Sequence, residues 1–333
     1  MTAVFNSFGI VGAGAWGTAI GVALARAGRR VVLWARESEV VACIKEKSEN
    51  QIYLPGIKLG AEITASSEMS DLAECDALVL ASPAQHMREV CKAAAPFLAN
   101  SIAPLIITAK GIESSTYNLM SEVVEKELPH HPVFVLSGPS FAKEVARNLP
   151  AALTLSGETS GDDLALSMLS SQLRLYTTDD VIGTQIGGAV KNVLAIACGI
   201  VAGRKMGENA RAALITRGLA EIIRLGTALG CRPETLMGMS GLGDIVLTCS
   251  SEQSRNMSLG LALGRGMALD EALAASSGVT EGIATAAAAL GLARKHGVEM
   301  PVVSAVDMIL REQASIDGVI SGLMSRPLRN ETV

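Results

Sequence analysis

Four segments of this 333-residue sequence bring polar side chains into otherwise apolar surroundings, and chemistry is expected there. They are ITAKGIE (107–113), LSGPSFAKE (136–144), GGAVKNVLAIACGI (187–200) and GLGDIVLTCSSEQSRN (241–256). Lys191 lies near the start of an apolar helical pattern, with Leu194, Ala195 and Cys198 at plus three, four and seven. An ammonium on such a face is desolvated, which lowers its pKa towards neutrality and suits proton transfer. The plainer reading is a lysine that snorkels to the edge of its helix. Ser254, Arg255 and Asn256 set a guanidinium beside an amide at a helix start, a sensible clamp for an anion. The plainer reading there is a Ser-capped helix with a solvated arginine.

A glycine fingerprint precedes all four. GIVGAGAWGTA places Gly12, Gly14 and Gly17 in GxGxxG spacing, directly after a β-type run and at the start of a helical one. Gly12 permits the tight turn, Gly14 lets the backbone approach a pyrophosphate, and Gly17 lets helix and strand pack closely. The helix start, with Ala15 and Trp16, then offers unpaired N–H groups to the phosphates. A dinucleotide is the expected ligand. At the end of the second strand, in VVLWAR, the usual acidic residue is replaced by Ala35 and Arg36. A guanidinium can pair with the 2′-phosphate of NADP and stack on the adenine, so NADPH is the preferred cofactor. Glu37 follows directly and keeps NADH open, since its carboxylate could take the ribose hydroxyl.

The elements that must position these groups fall into two kinds. β-Type runs at Phe8–Val11, Val31–Trp34, Ala77–Ala81, Leu105–Thr108 and Val133–Leu136 alternate with Ala-rich helical segments, the pattern of a parallel sheet with crossover helices. Strand-like pieces at Ala152–Leu155 and Leu173–Thr177 belong with them. Beyond that the chain reads as helices: Thr184–Val201, Asn209–Leu229, Ser254–Gly264, Asp270–Ala275, Gly282–His296 and Val302–Glu312. An α/β fold follows, with a Rossmann-type domain over 1–183 and an all-helical domain over 184–333. The active site is expected in the cleft between them.

Composition excludes several classes. With 49% hydrophobic and 18% charged residues there is material for two cores, and 3% aromatics leave Ala, Leu, Ile, Val and Met to build them. A net charge of -5 with scattered basic residues argues against nucleic acid. The six cysteines form no CxxC pair, which suits a reducing compartment. The four histidines form no HExxH and nothing has metal-ligand spacing, so no metal is expected. Mean hydropathy is high, at +0.36. Even so, the opening MTAVFNSFGIVGAGAWG lacks a basic n-region, and Lys191 and Asn192 interrupt the most apolar stretch, Gly187–Gly203. A cytoplasmic protein with no membrane segment is expected.

Taken together, GAGAWGTA, SGPSFA, the Lys191–Asn192 helix start and GDIVLTC…SRN resemble the NAD(P)-dependent glycerol-3-phosphate dehydrogenases over nearly the whole chain. The resemblance implies reversible reduction of dihydroxyacetone phosphate to sn-glycerol 3-phosphate, which supplies phospholipid synthesis, and a helical domain of the 6-phosphogluconate dehydrogenase C-terminal kind. It makes Lys191 the proton donor to the carbonyl oxygen and acceptor in reverse. It makes Lys110, at the carboxyl end of its strand, the group that polarises that carbonyl close to the nicotinamide. A second cation there would further depress Lys191. Asp244, in a glycine-flanked loop, orients Lys191 or a substrate hydroxyl, and Thr248 shares that network. Gly138 and Ser140 meet substrate, Ser254, Arg255 and Asn256 hold its phosphate, and Ala142 approaches the cofactor. The GVTEG loop (278–282) brings Val279 and Glu281 to the cofactor, which Lys110 and Arg255 also touch.

Enzymes acting on 6-phosphogluconate, β-hydroxy acids or opines combine the same two domains, but β-hydroxy acids would not need the phosphate clamp. A cofactor sensor without turnover is the reading from another class, and two lysines and an aspartate aimed at one cleft argue against it. A small-molecule substrate and a second copy of the chain, as a homodimer, are the expected partners.

Overall fold

The computed structural model describes residues 5–157, 161–275, 278–311 and 314–327. The apolar runs of the first half pair into one sheet: β1 (Ser7–Val11), β2 (Arg30–Trp34), β3 (Ile63–Ser66), β4 (Ala77–Leu80), β5 (Leu105–Ile107), β6 (Val133–Ser137), β7 (Ala151–Gly157) and β8 (Leu173–Thr178). The first six are parallel in the order β3-β2-β1-β4-β5-β6, the Rossmann arrangement. Helices α1 (Ala15–Arg26), α2 (Ser38–Lys47), α3 (Met87–Leu98), α4 (Met120–Glu127), α5 (Ala142–Ala146) and α6 (Asp162–Met168) lie between strands. β1 and β4 are buried along their whole length, as parallel strands covered on both faces must be. The winding reverses between them, so the crevice at their carboxyl ends is where such folds take ligands.

Two features of the sheet depart from the sequence reading. β3 was not expected, because ITAS carries one large apolar residue and sits at the edge. β7 runs antiparallel to β6. Five helical residues in α5 advance only about 7.5 Å, against about 16 Å for a five-residue strand, too little to carry the chain back for a parallel return.

The second half is helical: α7 (Val181–Gly203), α8 (Glu208–Ala228), α9 (Pro233–Leu236), α10 (Asp244–Cys249), α11 (Arg255–Gly264), α12 (Leu269–Ala274), α13 (Glu281–Lys295), α14 (Pro301–Leu310) and α15 (Ile316–Met324). α7 starts earlier than its apolar pattern because Asp180 caps it, accepting the Gly183 N–H at 2.8 Å. The expected end of the 302–312 helix, Glu312, lies outside the described residues, as do residues 1–4 of the opening stretch. α7 is long and apolar enough to cross a bilayer, yet it is the buried axis of this domain, packed by α8, α10, α11 and α13.

The closest packing is between α7 and α11, and glycines allow it. A Cβ on Gly260 would stand 2.0 Å from the Ile196 carbonyl oxygen, and one on Gly199 2.2 Å from that of Met257. Gly203 and Gly264 repeat the contact one turn on. With no side chain between them the two backbones touch, and this seam holds the start of α11 beside Lys191 of α7.

Candidate active site

Lys191 sits in the third turn of α7, 7% exposed, with its ammonium enclosed. Its Nζ donates to Asp244 Oδ1 at 2.6 Å and to the Thr248 hydroxyl at 2.7 Å. Lys110 reaches the same carboxylate from the end of β5, donating from Nζ to Asp244 Oδ2 at 2.6 Å and to the Gly138 carbonyl at 3.0 Å. One fully buried carboxylate thus bridges two ammonium groups. Burial alone would push the Asp244 carboxyl up, but the two lysines hold it below its ordinary value. Burial, and then the charge of Lys110, brings Lys191 down to about 8 despite the pull of Asp244. Each ammonium keeps a third hydrogen with no acceptor among the described residues.

Asp244 is not in a loop. It opens α10, after a π-helical turn (Met239–Gly243), and a carboxylate suits the positive end of a helix. Glycine again explains the local fold, since a Cβ on Gly241 would stand 1.9 Å from the Leu236 carbonyl oxygen. The sequence reading missed this because glycine repeats read as loop when their packing partner is unseen.

The turn bearing Lys110 is fixed from both sides. Gln85 bonds the Ile112 carbonyl and the Ser114 N–H, and Arg88 pairs with Glu113 through two bonds of 2.8 Å. From the helical domain, Asn192 donates to the Lys110 carbonyl at 3.0 Å. Asn256 donates to Asn192 at 3.0 Å and accepts the Gly282 N–H at 3.0 Å. The sequence marks Asn192 only as part of the helix-start motif and gives it no role, although an amide beside a buried lysine in an apolar helix was its signal.

The remaining candidates divide into those near this centre and those apart. The Gly138 carbonyl also accepts from the Ser140 hydroxyl at 3.0 Å, so part of that turn is spent inside the protein. Ser254 caps α11 through the Met257 N–H at 3.3 Å. Arg255 is exposed, pairs with no carboxylate among the described residues, and lies beneath the Gly278 turn. Glu281 reaches across to the sheet domain, accepting the Ala84 N–H at 3.0 Å, and burial raises its carboxyl. Val279 is half exposed, and Ala142 opens α5 against the sheet-domain core. Arg36 lies beyond β2 with 78% of its side chain exposed, paired among the described residues with Glu37 at 3.1 Å.

The glycine turn fits a dinucleotide. Gly12 adopts φ +117°, and Gly17 comes so close that a Cβ would meet the Gly12 oxygen at 1.9 Å. Gly14 faces open space, with nothing within 4 Å of a Cβ placed there. The Trp16 indole nitrogen beside it is buried without a partner among the described residues. No His, Cys, Asp and Glu group able to hold a metal occurs among the described residues.

Residues 7–162 match the family described as NAD-dependent glycerol-3-phosphate dehydrogenase N-terminus, and residues 180–321 match its C-terminus. A glycerol-3-phosphate dehydrogenase, NAD(P)+, of Parvibaculum lavamentivorans is 52% identical over the full length of both chains. The one from Caulobacter vibrioides is 53% identical, covering 98% of this chain and 99% of its own. The crystal structure of glycerol-3-phosphate dehydrogenase from Coxiella burnetii superposes with a TM-score of 0.93 at 39% identity, covering 97% of this chain and 99% of that one. With both halves matched and close relatives aligned end to end, the chain belongs to the NAD(P)-dependent glycerol-3-phosphate dehydrogenase family.

Proposed function

We propose that this protein reduces dihydroxyacetone phosphate to sn-glycerol 3-phosphate with NADPH, and NADH less well, using Lys191 as the proton donor. The bridging of Lys110 and Lys191 by buried Asp244 carries the reading of the site. The nicotinamide cofactor, when bound, would supply the hydride. Lys191, near 8, holds its proton at neutral pH yet releases it readily, and its free N–H is available to the carbonyl oxygen. Lys110 polarises the same carbonyl. Asp244 fixes both ammonium groups and keeps the pair from repelling apart. In reverse, neutral Lys191 takes the hydroxyl proton. Ser254, Arg255 and Asn256 hold the phosphate and so set the carbonyl against Lys191. Gly138 and Ser140 complete the substrate side, while Gly12, Gly14, Ala15, Trp16, Gly17, Ala142, Val279 and Glu281 line the cofactor side.

A cytoplasmic homodimer feeding phospholipid synthesis belongs to the same proposal, with twice the chain mass expected in light scattering. The direct test is NADPH oxidation with dihydroxyacetone phosphate, using unphosphorylated dihydroxyacetone as control. Equal rates on the two substrates would overturn the phosphate site. For the cofactor, Arg36→Asp is expected to weaken NADPH by about ten- to a hundredfold, the worth of a charge-assisted contact, and to spare NADH. Equal losses would remove Arg36 from the 2′-phosphate.

A further inference from the structure

Asn50 is fully buried, and no step of the reaction uses it. It lies just past α2, in a segment with no motif for chemistry, yet its amide reaches into the glycine turn. One Nδ2 hydrogen goes to the Ala13 carbonyl at 2.8 Å and the other to the Thr18 hydroxyl at 2.9 Å. Thr18 in turn donates to the Ala13 carbonyl at 3.3 Å, closing a triangle beneath the turn. The amide oxygen accepts the Tyr53 N–H at 3.1 Å, which fixes the side chain in its own loop. That loop is closed independently, since Glu49 accepts the Gly56 N–H at 2.9 Å and pairs with Lys58 at 3.3 Å.

We infer that Asn50 is a positioning residue for the cofactor, aiming the phosphate-binding N–H of Gly14 by holding the carbonyl of Ala13. In a trans peptide the C=O and the following N–H lie in one plane and point in opposite directions. Drawing the Ala13 carbonyl inward to Asn50 turns the Gly14 N–H the opposite way, outward from the turn. Without that anchor the flexible Gly12–Ala13–Gly14 turn is free to rotate this plane, and a ligand phosphate must then order it on binding. The diphosphate is common to NADPH and NADH, so Asn50 serves both alike.

This inference rests on the reading that the Gly12–Gly17 turn holds the cofactor diphosphate. The test therefore pairs Asn50→Asp with Gly14→Val, titrating each full-length protein with NADPH and NADH by calorimetry. Asn50→Asp keeps the shape and the Tyr53 bond but sets an oxygen against the Ala13 carbonyl. Losing that bond is expected to raise the Kd for both cofactors equally, by about 5- to 30-fold. At saturating cofactor, kcat and the KM for dihydroxyacetone phosphate stay within about twofold. A residue that served only folding would instead lower Tm and kcat without this split. Thr18→Val, which removes another corner of the triangle, gives a smaller loss of the same kind and carries the test if Asn50→Asp does not fold. Gly14→Val, with room for its side chain, is expected to abolish binding. Normal binding by Gly14→Val would overturn the turn itself as the site. Lost binding in Gly14→Val with wild-type Kd in the Asn50 and Thr18 variants would overturn the role of Asn50 alone.

Discussion

Lys191 is marked in the sequence by Leu194, Ala195 and Cys198 along its face, but a lysine snorkelling to the helix edge fits the same spacing, and only its burial in the fold separates the two. The spacing does not mark its partners. Asp244 stands 53 residues away and Lys110 a further 81 in the other direction, and only folding brings both lysines to one carboxylate. Lys191→Met retains the stem and removes the proton, so kcat is expected to fall about 10²- to 10⁴-fold while NADPH binding persists. Retention of more than about a third of kcat, with chemistry rate-limiting, would clear Lys191 of that role. The pH profile gives a second reading of the same group. With Lys191 as the proposed proton donor, reduction would need the protonated amine and should decline as pH rises through about 8, whereas oxidation would need the neutral amine and should decline below it. Parallel profiles in the two directions would point to another group.

Elements acquire their roles from contacts that spacing does not display. The glycines of α7 and α11 look like weak helix formers in the sequence, and the structure makes them the seam on which the helix bearing Lys191 rests. Gly260→Ala would drive a methyl group into the Ile196 carbonyl, and a cost of about 2 to 3 kcal/mol is expected in denaturant unfolding. Gly322→Ala in α15 is the contrast, since its Cβ would meet nothing within 4 Å. There the better helix propensity of alanine should stabilise by up to about 1 kcal/mol. Similar effects at the two sites would mean that the seam is looser than its geometry.

Bonds cross between the two halves of the molecule at the site, from Lys110 to Asp244, Asn192 to Lys110 and Glu281 to Ala84, and also away from it, from Gln185 to Ser121, Gln253 to Glu144 and Lys295 to Thr116. Away from the site, Glu221 of α8 is buried and accepts the Val302 and Val303 N–H groups at the start of α14, at 2.7 and 3.2 Å. Burial raises its carboxyl to about 7, against the opposing effect of those two N–H groups and of Arg224 and Arg217. The folded state therefore holds a proton that the unfolded chain releases near 4.5. Its contribution is complete below pH 4.5 and is lost as pH rises through about 7, about 3 kcal/mol in all. Unfolding measured from pH 5 to 8 should fall less steeply for Glu221→Gln than for the unsubstituted protein. Identical slopes would show that Glu221 ionises freely.

The sequence by itself determined the two-domain plan, the glycine turn, the five strands β1, β2, β4, β5 and β6 and the residues able to carry charge into apolar surroundings. These follow from periodicity and from local backbone demands, which neighbouring residues settle among themselves. Only the tertiary structure decided that Asp244 begins a helix and serves both lysines, that β7 turns against β6, and that Asn50 supports the glycine turn from 37 residues away. Those outcomes depend on which surfaces meet, and a buried hydrogen bond between distant segments leaves no periodic trace in the chain that makes it.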